Sequence, residues 1–158
     1  MSKKQVAVDR GKIIEPSFPN NSILSNDSRA KFSFSEKGKT YIANNAHKQI
    51  GCWLKIDNGL YSEEVKKCDF GLLIQDGRFF LIELKGADVN SACKQLLETL
   101  KSLENGYSSF IFDFFCRIVA KKGTPGVNTN RQRLEKYLVA TSSNKKFLSR
   151  ETEFTEDI

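Results

Sequence analysis

The sequence predicts an α/β or α+β domain built on a mixed β-sheet, and three observations carry that prediction. Residues 69–75 (DFGLLIQ) and 78–84 (RFFLIEL) are short apolar runs on either side of Asp76-Gly77, a strong hairpin signal. Residues 91–105 (SACKQLLETLKSLEN) repeat apolar side chains at Ala92, Leu96, Leu100 and Leu103, the spacing of one helix face. Residues 109–120 (SFIFDFFCRIVA) are aromatic and β-branched, which suits a further central strand. Hairpin, helix and strand in that order build a sheet with helical cover.

The elements follow in chain order. Residues 1–30 are polar, carry Pro16, Pro19 and the Asn20-Asn21-Ser22 cluster, and show little periodicity. A flexible N-terminal arm with at most one short ordered piece is expected there, ahead of a single domain at 31–150. Phe32-Ser33-Phe34 alternates in a way that fits either a strand or a helix start. Residues 49–56 (QIGCWLKI) read as the first core strand. The two hairpin runs are apolar on both faces, so they belong at the centre of a covered sheet. Asn90 or Ser91 can cap the helix that follows, and Gly106 can end it. Gly123-Thr124-Pro125-Gly126 through Asn130 is a loop, with a short basic strand or helix near 131–140. Residues 151–158 form an acidic tail, expected to be solvated or folded back on a basic groove.

Turn length decides whether Asp69 and Glu83 can meet. A two-residue loop at Asp76-Gly77 would pair Gln75 with Arg78 and set Asp69 opposite Leu84, placing the acids on opposite faces. A three-residue loop, Gln75-Asp76-Gly77 with Gly77 left-handed, pairs Ile74 with Arg78 and Asp69 with Glu83. Lys85 then follows on the same face. The longer loop, or a bulge with the same effect on register, is the prediction. Two acids and a lysine so grouped suit metal-dependent phosphodiester chemistry. The acids would hold a divalent cation through hard oxygen ligands, the cation would polarise a phosphate and acidify a water, and the ammonium would position that water. In isolation an Asp and an E-x-K are better explained as surface salt bridges. Their apolar flanks and the order of elements favour a site.

Asp69, followed fourteen residues later by Glu83-Leu84-Lys85 after an apolar strand, resembles the signature of the PD-(D/E)XK nuclease superfamily, with Cys68 where the name-giving proline often stands. The resemblance implies a restriction-endonuclease-like core, a central mixed β-sheet flanked by helices. It implies Asp69 and Glu83 as metal ligands, the backbone carbonyl of Leu84 in the metal shell, Lys85 as the catalytic lysine, and Mg2+ as cofactor with Mn2+ as a substitute. It also implies a helix glutamine at the site, carried over here to Gln95. Thr99 stands where a Q-x-x-x-Y pattern would place a tyrosine. Many members carry a glutamate on an upstream helix, but residues 39–50 (KTYIANNAHKQI) contain no acid. Glu36, Asp57 or no residue would complete the shell, and a second ion would then need ligands from substrate phosphate.

Length and composition narrow the class. A chain of 158 residues, 39% hydrophobic and 28% charged, can bury one core and leaves no room for a second catalytic domain. No apolar run approaches a membrane span and no signal-peptide core opens the chain, so a cytoplasmic protein with no membrane partner is expected. Cys52, Cys68, Cys93 and Cys116 form no C-x-x-C pair, which favours buried free thiols over zinc ligands or disulfides. Lone His47 has no second histidine to support a metal pair and reads as a surface or capping residue. Phe110, Phe112 and Phe114 alternate near basic residues and could stack unpaired bases. Core packing explains them better, because both faces of that segment are apolar.

The charge of +6 is unevenly spread. Residues 1–106 hold 16 Lys/Arg against 13 acids, residues 107–150 hold 9 against 2, and residues 151–158 hold 4 acids and no basic residue. Lys121, Lys122, Arg131, Arg133, Lys136, Lys145, Lys146 and Arg150 could neutralise phosphates along a bound strand; a solvated basic face is the plainer alternative. These readings converge on a Mg2+-dependent nuclease, with DNA favoured over RNA through the resemblance alone and a homodimer called for if two strands are cut. A catalytically silent nucleic-acid-binding relative and a protein-interaction subunit are the competing classes.

Overall fold

The computed structural model of the chain describes residues 2–62, 64–85, 88–120, 129–139 and 147–158, with Lys85 and Val139 described by backbone alone. Its strands are β1 (Ala7–Asp9), β2 (Lys12–Glu15), β3 (Ile23–Asp27), β4 (Lys31–Glu36), β5 (Lys39–Asn44), β6 (Gly51–Lys55), β7 (Phe70–Ile74), β8 (Arg78–Lys85), β9 (Asp113–Ala120), β10 (Phe147–Arg150) and β11 (Glu153–Asp157). Helix α1 (Val89–Gly106) lies between β8 and β9, and α2 (Thr129–Val139) between β9 and β10. A six-stranded mixed sheet runs β10-β9-β8-β7-β6-β3, parallel from β10 to β8 and antiparallel from β8 to β3. The expected mixed α/β architecture is therefore present, with α1 supplying the crossover that parallel neighbours β8 and β9 require.

Each face of that sheet is covered. Phe80, Ile82 and Leu84 of β8 meet Phe32 and Phe34 of β4, Tyr41 of β5 and Phe154 of β11, the members of a separate three-stranded sheet ordered β11-β5-β4. Phe79 and Leu81, the alternate residues of β8, meet Leu96, Leu100 and Leu103 of α1, and Leu134 and Leu138 of α2 join the same layer. Cover on both sides explains why the hairpin runs are apolar throughout. Each α1 leucine so buried is worth about 1.5–3 kcal/mol.

The β7–β8 hairpin closes with the longer loop. Pairing runs from Phe70 with Ile82 to Leu73 with Phe79, so the same register continued sets Ile74 against Arg78 and Asp69 against Glu83. Gly77 sits at φ +95° and donates to the Ile74 carbonyl at 2.9 Å, while Asp76 Oδ1 accepts from the Arg78 N–H at 3.1 Å. Gln75 stays on the other ladder: its N–H donates to Ile50 O at 2.9 Å and its Oε1 accepts from Ile50 N at 2.6 Å. The neighbour strand thus takes the residue that a two-residue loop would have needed.

Other expectations give way. Residues 7–27, read as mostly arm, supply β1, β2 and β3. Asn26 of β3 brackets Ile13 of β2, accepting from its N–H at 2.9 Å and donating to its carbonyl at 2.8 Å, and Ile13 and Phe18 are buried. Strands of three to five residues, each with few inward side chains, are too short to show a period. The stretch searched for an upstream helix forms β5 instead, and Phe32 and Phe34 settle as strand β4 because only one of its faces is buried. The acidic tail is β11: it pairs in parallel with β5, buries Phe154 and Ile158, and places Glu156 2.7 Å from Arg117 Nε. Helix α1 starts earlier than expected, with Asp88 accepting the Ser91 N–H at 3.0 Å. All four cysteines are free and buried, and His47 is exposed. Among the described residues no helix is long and apolar enough to cross a membrane.

Candidate functional site

The continued register sets the acids across from each other where β7 begins and β8 ends, at one end of these two central strands. Asp69 is half-buried immediately before β7, and its Oδ2 accepts the Leu84 N–H at 2.8 Å. Glu83 is 1% exposed and alternates with Leu84 along β8, on the helix side with Phe79 and Leu81. A strand residue projects its N–H and C=O to the same side, so the Leu84 carbonyl leaves β8 toward the edge that Asp69 occupies. Lys85 ends β8 two residues beyond Glu83, its backbone paired with that of Ala120. Asp69, Glu83, Leu84 and Lys85 thus lie at the same end of the two central strands.

The two residues before Asp69 are pinned by side chains. Lys67 N donates to Asp57 Oδ1 at 3.2 Å, Gln95 Nε2 donates to Lys67 O at 3.3 Å, and Cys68 N donates to Thr99 Oγ1 at 2.8 Å. Thr99 in turn donates to Gln95 O at 2.7 Å. Gln95 is therefore next to the predicted site, bonded to the segment that leads into Asp69. Thr99, set aside in the sequence for lack of a phenol, is the contributor that sequence reasoning missed; its four-residue spacing from Gln95 on a shared helix face was the available signal. Burial first, and then the Glu83 and Asp69 carboxylates, push the Cys68 thiol well above its ordinary range, with Thr99 acting in the opposite sense. A protonated, buried thiol there is packing and not a nucleophile.

The upstream candidates separate. Glu36 is exposed at the end of β4, in the small sheet and on the far side of the central one from the helices. It is removed from the site. Asp57 is close: its Oδ1 accepts from the N–H of Lys67, two residues before Asp69, and its own N–H donates to Cys68 O at 3.1 Å. Of the basic residues, Arg131, Arg133 and Lys136 are exposed on α2. Asn130 ties the first turn of α2 to the first turn of α1 through two 3.2 Å bonds to Asn90, which brings that end of the basic helix to the edge where β8 finishes. Arg131 also pairs with Glu135 at 3.0 Å. Arg150 is exposed at the end of β10. Lys121, Lys122, Lys145 and Lys146 lie outside the described residues.

A cavity of about 320 Å³ lies at the other end of α1, lined by Lys3, Glu104, Tyr107, Phe110, Phe112 and Phe114 among others. Phe114 pairs with Phe79 near the start of β8, so this cavity and the acid pair occupy opposite ends of the strand. The acids are the better candidate, because their chemistry converges and the cavity's lining does not.

Carboxylate oxygens and a peptide carbonyl are hard donors of the kind Mg2+ takes. The described residues contain no group of three or more His, Cys, Asp or Glu side chains placed to hold a metal ion, so a cation held by Asp69 and Glu83 would complete its shell from the Leu84 carbonyl, water and substrate. Compared with protein-family models, with curated proteins and with solved structures, the chain matches none.

Proposed function

We propose that this chain is a Mg2+-dependent nuclease with a restriction-endonuclease-like core, hydrolysing phosphodiester bonds in nucleic acid, DNA in the first instance. The single observation that supports this most is the bond from Leu84 N to Asp69 Oδ2, which joins the start of β7 to the residue beside buried Glu83. The order β6, hairpin, α1, β9 supports it as well, being the order that the PD-(D/E)XK resemblance implies. Asp69, Glu83 and the Leu84 carbonyl would hold the cation. When bound, Mg2+ or Mn2+ would polarise the phosphate and lower the pKa of a water. Lys85 would orient that water and offset charge developing on the phosphate, and Gln95 would keep the 67–68 segment in register behind Asp69. Arg131, Arg133 and Lys136 would track the phosphate backbone, with Lys121, Lys122, Lys145 and Lys146 as further cationic residues of the same part of the chain. Cutting both strands of a duplex would call for two copies of the chain.

The test is incubation with Mg2+ or Mn2+ and a panel of single-stranded, double-stranded and branched DNA and RNA, beside Asp69→Asn, Glu83→Gln and Lys85→Ala. Metal-dependent cutting by the parent, lost in all three variants, is the expected result. Binding without cutting under every condition would replace the nuclease with a silent binding relative, and neither binding nor cutting would point to an interaction subunit.

A further inference from the structure

We propose that Thr99 is a positioning residue whose hydroxyl sets the Asp69 carboxylate against Leu84. This rests on the reading of Asp69 as a metal ligand for its consequence, but not for its geometry. Thr99 is fully buried on α1. A hydroxyl has one hydrogen to give, and Thr99 gives it to Gln95 O at 2.7 Å while accepting from Cys68 N at 2.8 Å. With both roles taken, the rotor is locked. The bond from a helix threonine to the carbonyl four residues back is common and by itself implies no role.

What singles Thr99 out is its acceptor side. The β7–β8 ladder starts at Phe70, so Cys68 lies beyond its end, where no β8 residue pairs with it. Asp69 occupies the gap between the last ladder pair and Cys68, and its side chain takes the Leu84 N–H in place of a strand carbonyl. The peptide from Cys68 to Asp69 is planar and rigid, with consecutive Cα atoms about 3.8 Å apart. From the other side Asp57 N–H donates to Cys68 O at 3.1 Å and Ile56 N–H to Asp69 O at 3.0 Å, so the Cys68 N–H held from α1 completes the set of bonds that places the start of the Asp69 side chain. Gln95 and Asp57 hold Lys67, one residue further away and through longer bonds of 3.3 and 3.2 Å. The Thr99 hydroxyl thus ties α1 to the residue next to the first acid, one position nearer than Gln95 reaches.

Thr99→Val keeps the shape and removes the acceptor, and Thr99→Ser keeps the acceptor and removes a methyl group. Hydrogen exchange of the Leu84 amide in metal-free protein reports whether Asp69 still holds it, with the Phe80 amide of the same strand as reference. Mn2+ titration by calorimetry reports the consequence. In Thr99→Val, Leu84 exchange should rise about fivefold relative to Phe80 and Mn2+ affinity should fall about threefold to tenfold, with Thr99→Ser within about twofold of the parent in both. Thr99→Ala removes the same acceptor with less bulk and carries the test if the valine protein does not fold. A variant that unfolds at lower temperature but exchanges Leu84 and Phe80 in the parental ratio would overturn the proposal, leaving Thr99 as packing. If the parent binds no Mn2+, the nuclease reading falls, and the exchange ratio still decides the positioning role.

Discussion

Three described hairpins of this chain turn on an X-Gly pair, and two of them, β4–β5 and β7–β8, close differently. Between β4 and β5, Lys37 (φ +50°) and Gly38 (φ +77°) form a two-residue loop that pairs Glu36 with Lys39. Two consecutive positive φ angles are what the favoured two-residue hairpin turn requires. Between β7 and β8 only Gly77 is left-handed, and the loop has three residues. The difference lies in the surroundings. Strand β4 is an edge, whereas β7 has β6 beside it, and Ile50 holds Gln75 on that side through two hydrogen bonds. A turn dipeptide marks where the chain reverses; the neighbouring strand decides which residue closes the reversal.

The same contrast extends to the acids, and it can be broken in steps. The largest effect is expected from Glu83→Gln, which should lower metal-dependent cleavage at least about a hundredfold, whereas Glu36→Gln on the other hairpin should leave initial rates within about twofold. Equal losses in the two would sink the assignment of the site to the β7–β8 hairpin. Next comes backbone strain. Gly77→Ala should cost about 2 kcal/mol in urea unfolding and Gly38→Ala about 1 kcal/mol. A Cβ on Gly77 would lie 3.3 Å from Ile111 O, while one on Gly38 meets nothing within 4 Å.

Smaller still is Asp76→Asn, which removes the 2.9 Å ion pair to Arg78 and strengthens the two-residue turn signal. Its cost should stay under about 1 kcal/mol, because a register slip would carry the buried side chains of β8 to the wrong faces. Loss of the Leu73–Phe79 pairing in nuclear Overhauser spectra would show instead that the turn dictates register. The smallest effect belongs to Asp27, at the end of β3, whose carboxyl the Arg29 hydrogen bond holds below its ordinary range. A lowered carboxylate pKa adds stability above the unfolded value, and that stability is lost as pH falls through the folded one. Arg29→Ala should therefore cost under about 1 kcal/mol at pH 7, given how exposed the pair is, and the gap should close below about pH 4. A gap that persists at pH 2 would assign the loss to Arg29 packing over Phe32 and Trp53.

Legibility varied with how far each element depends on residues distant in sequence. The hairpin, α1 and β9 carry runs long enough to show a period, and each is present, although β9 begins only at Asp113, four residues into its apolar run. Strands β1, β2, β3 and β11 do not. Ile13 and Phe18 stand in a stretch with no apolar period; Asn26 ties β2 to β3 at Ile13, and Phe18 packs on Phe79 and Tyr107. The tail reads as four acids, but Phe154 and Ile158 fill the small-sheet core and Arg117 takes Glu156. Within the candidate site, Asp69, Glu83 and Lys85 were readable because acids and a lysine stand out among apolar neighbours. Thr99 was not, because a helix threonine shows its worth only when the backbone it receives is known.

By itself, then, the sequence determined the central hairpin, the helix after it, the aromatic strand and the pair of acids, all through contrasts between neighbouring residues. Tertiary structure alone decided that Gln75 would stay with Ile50, that the two chain ends would close the sheets, and that α1 would reach Cys68 through Thr99. Those outcomes depend on hydrogen bonds and burial between segments from 25 to more than 100 residues apart, which no local pattern encodes.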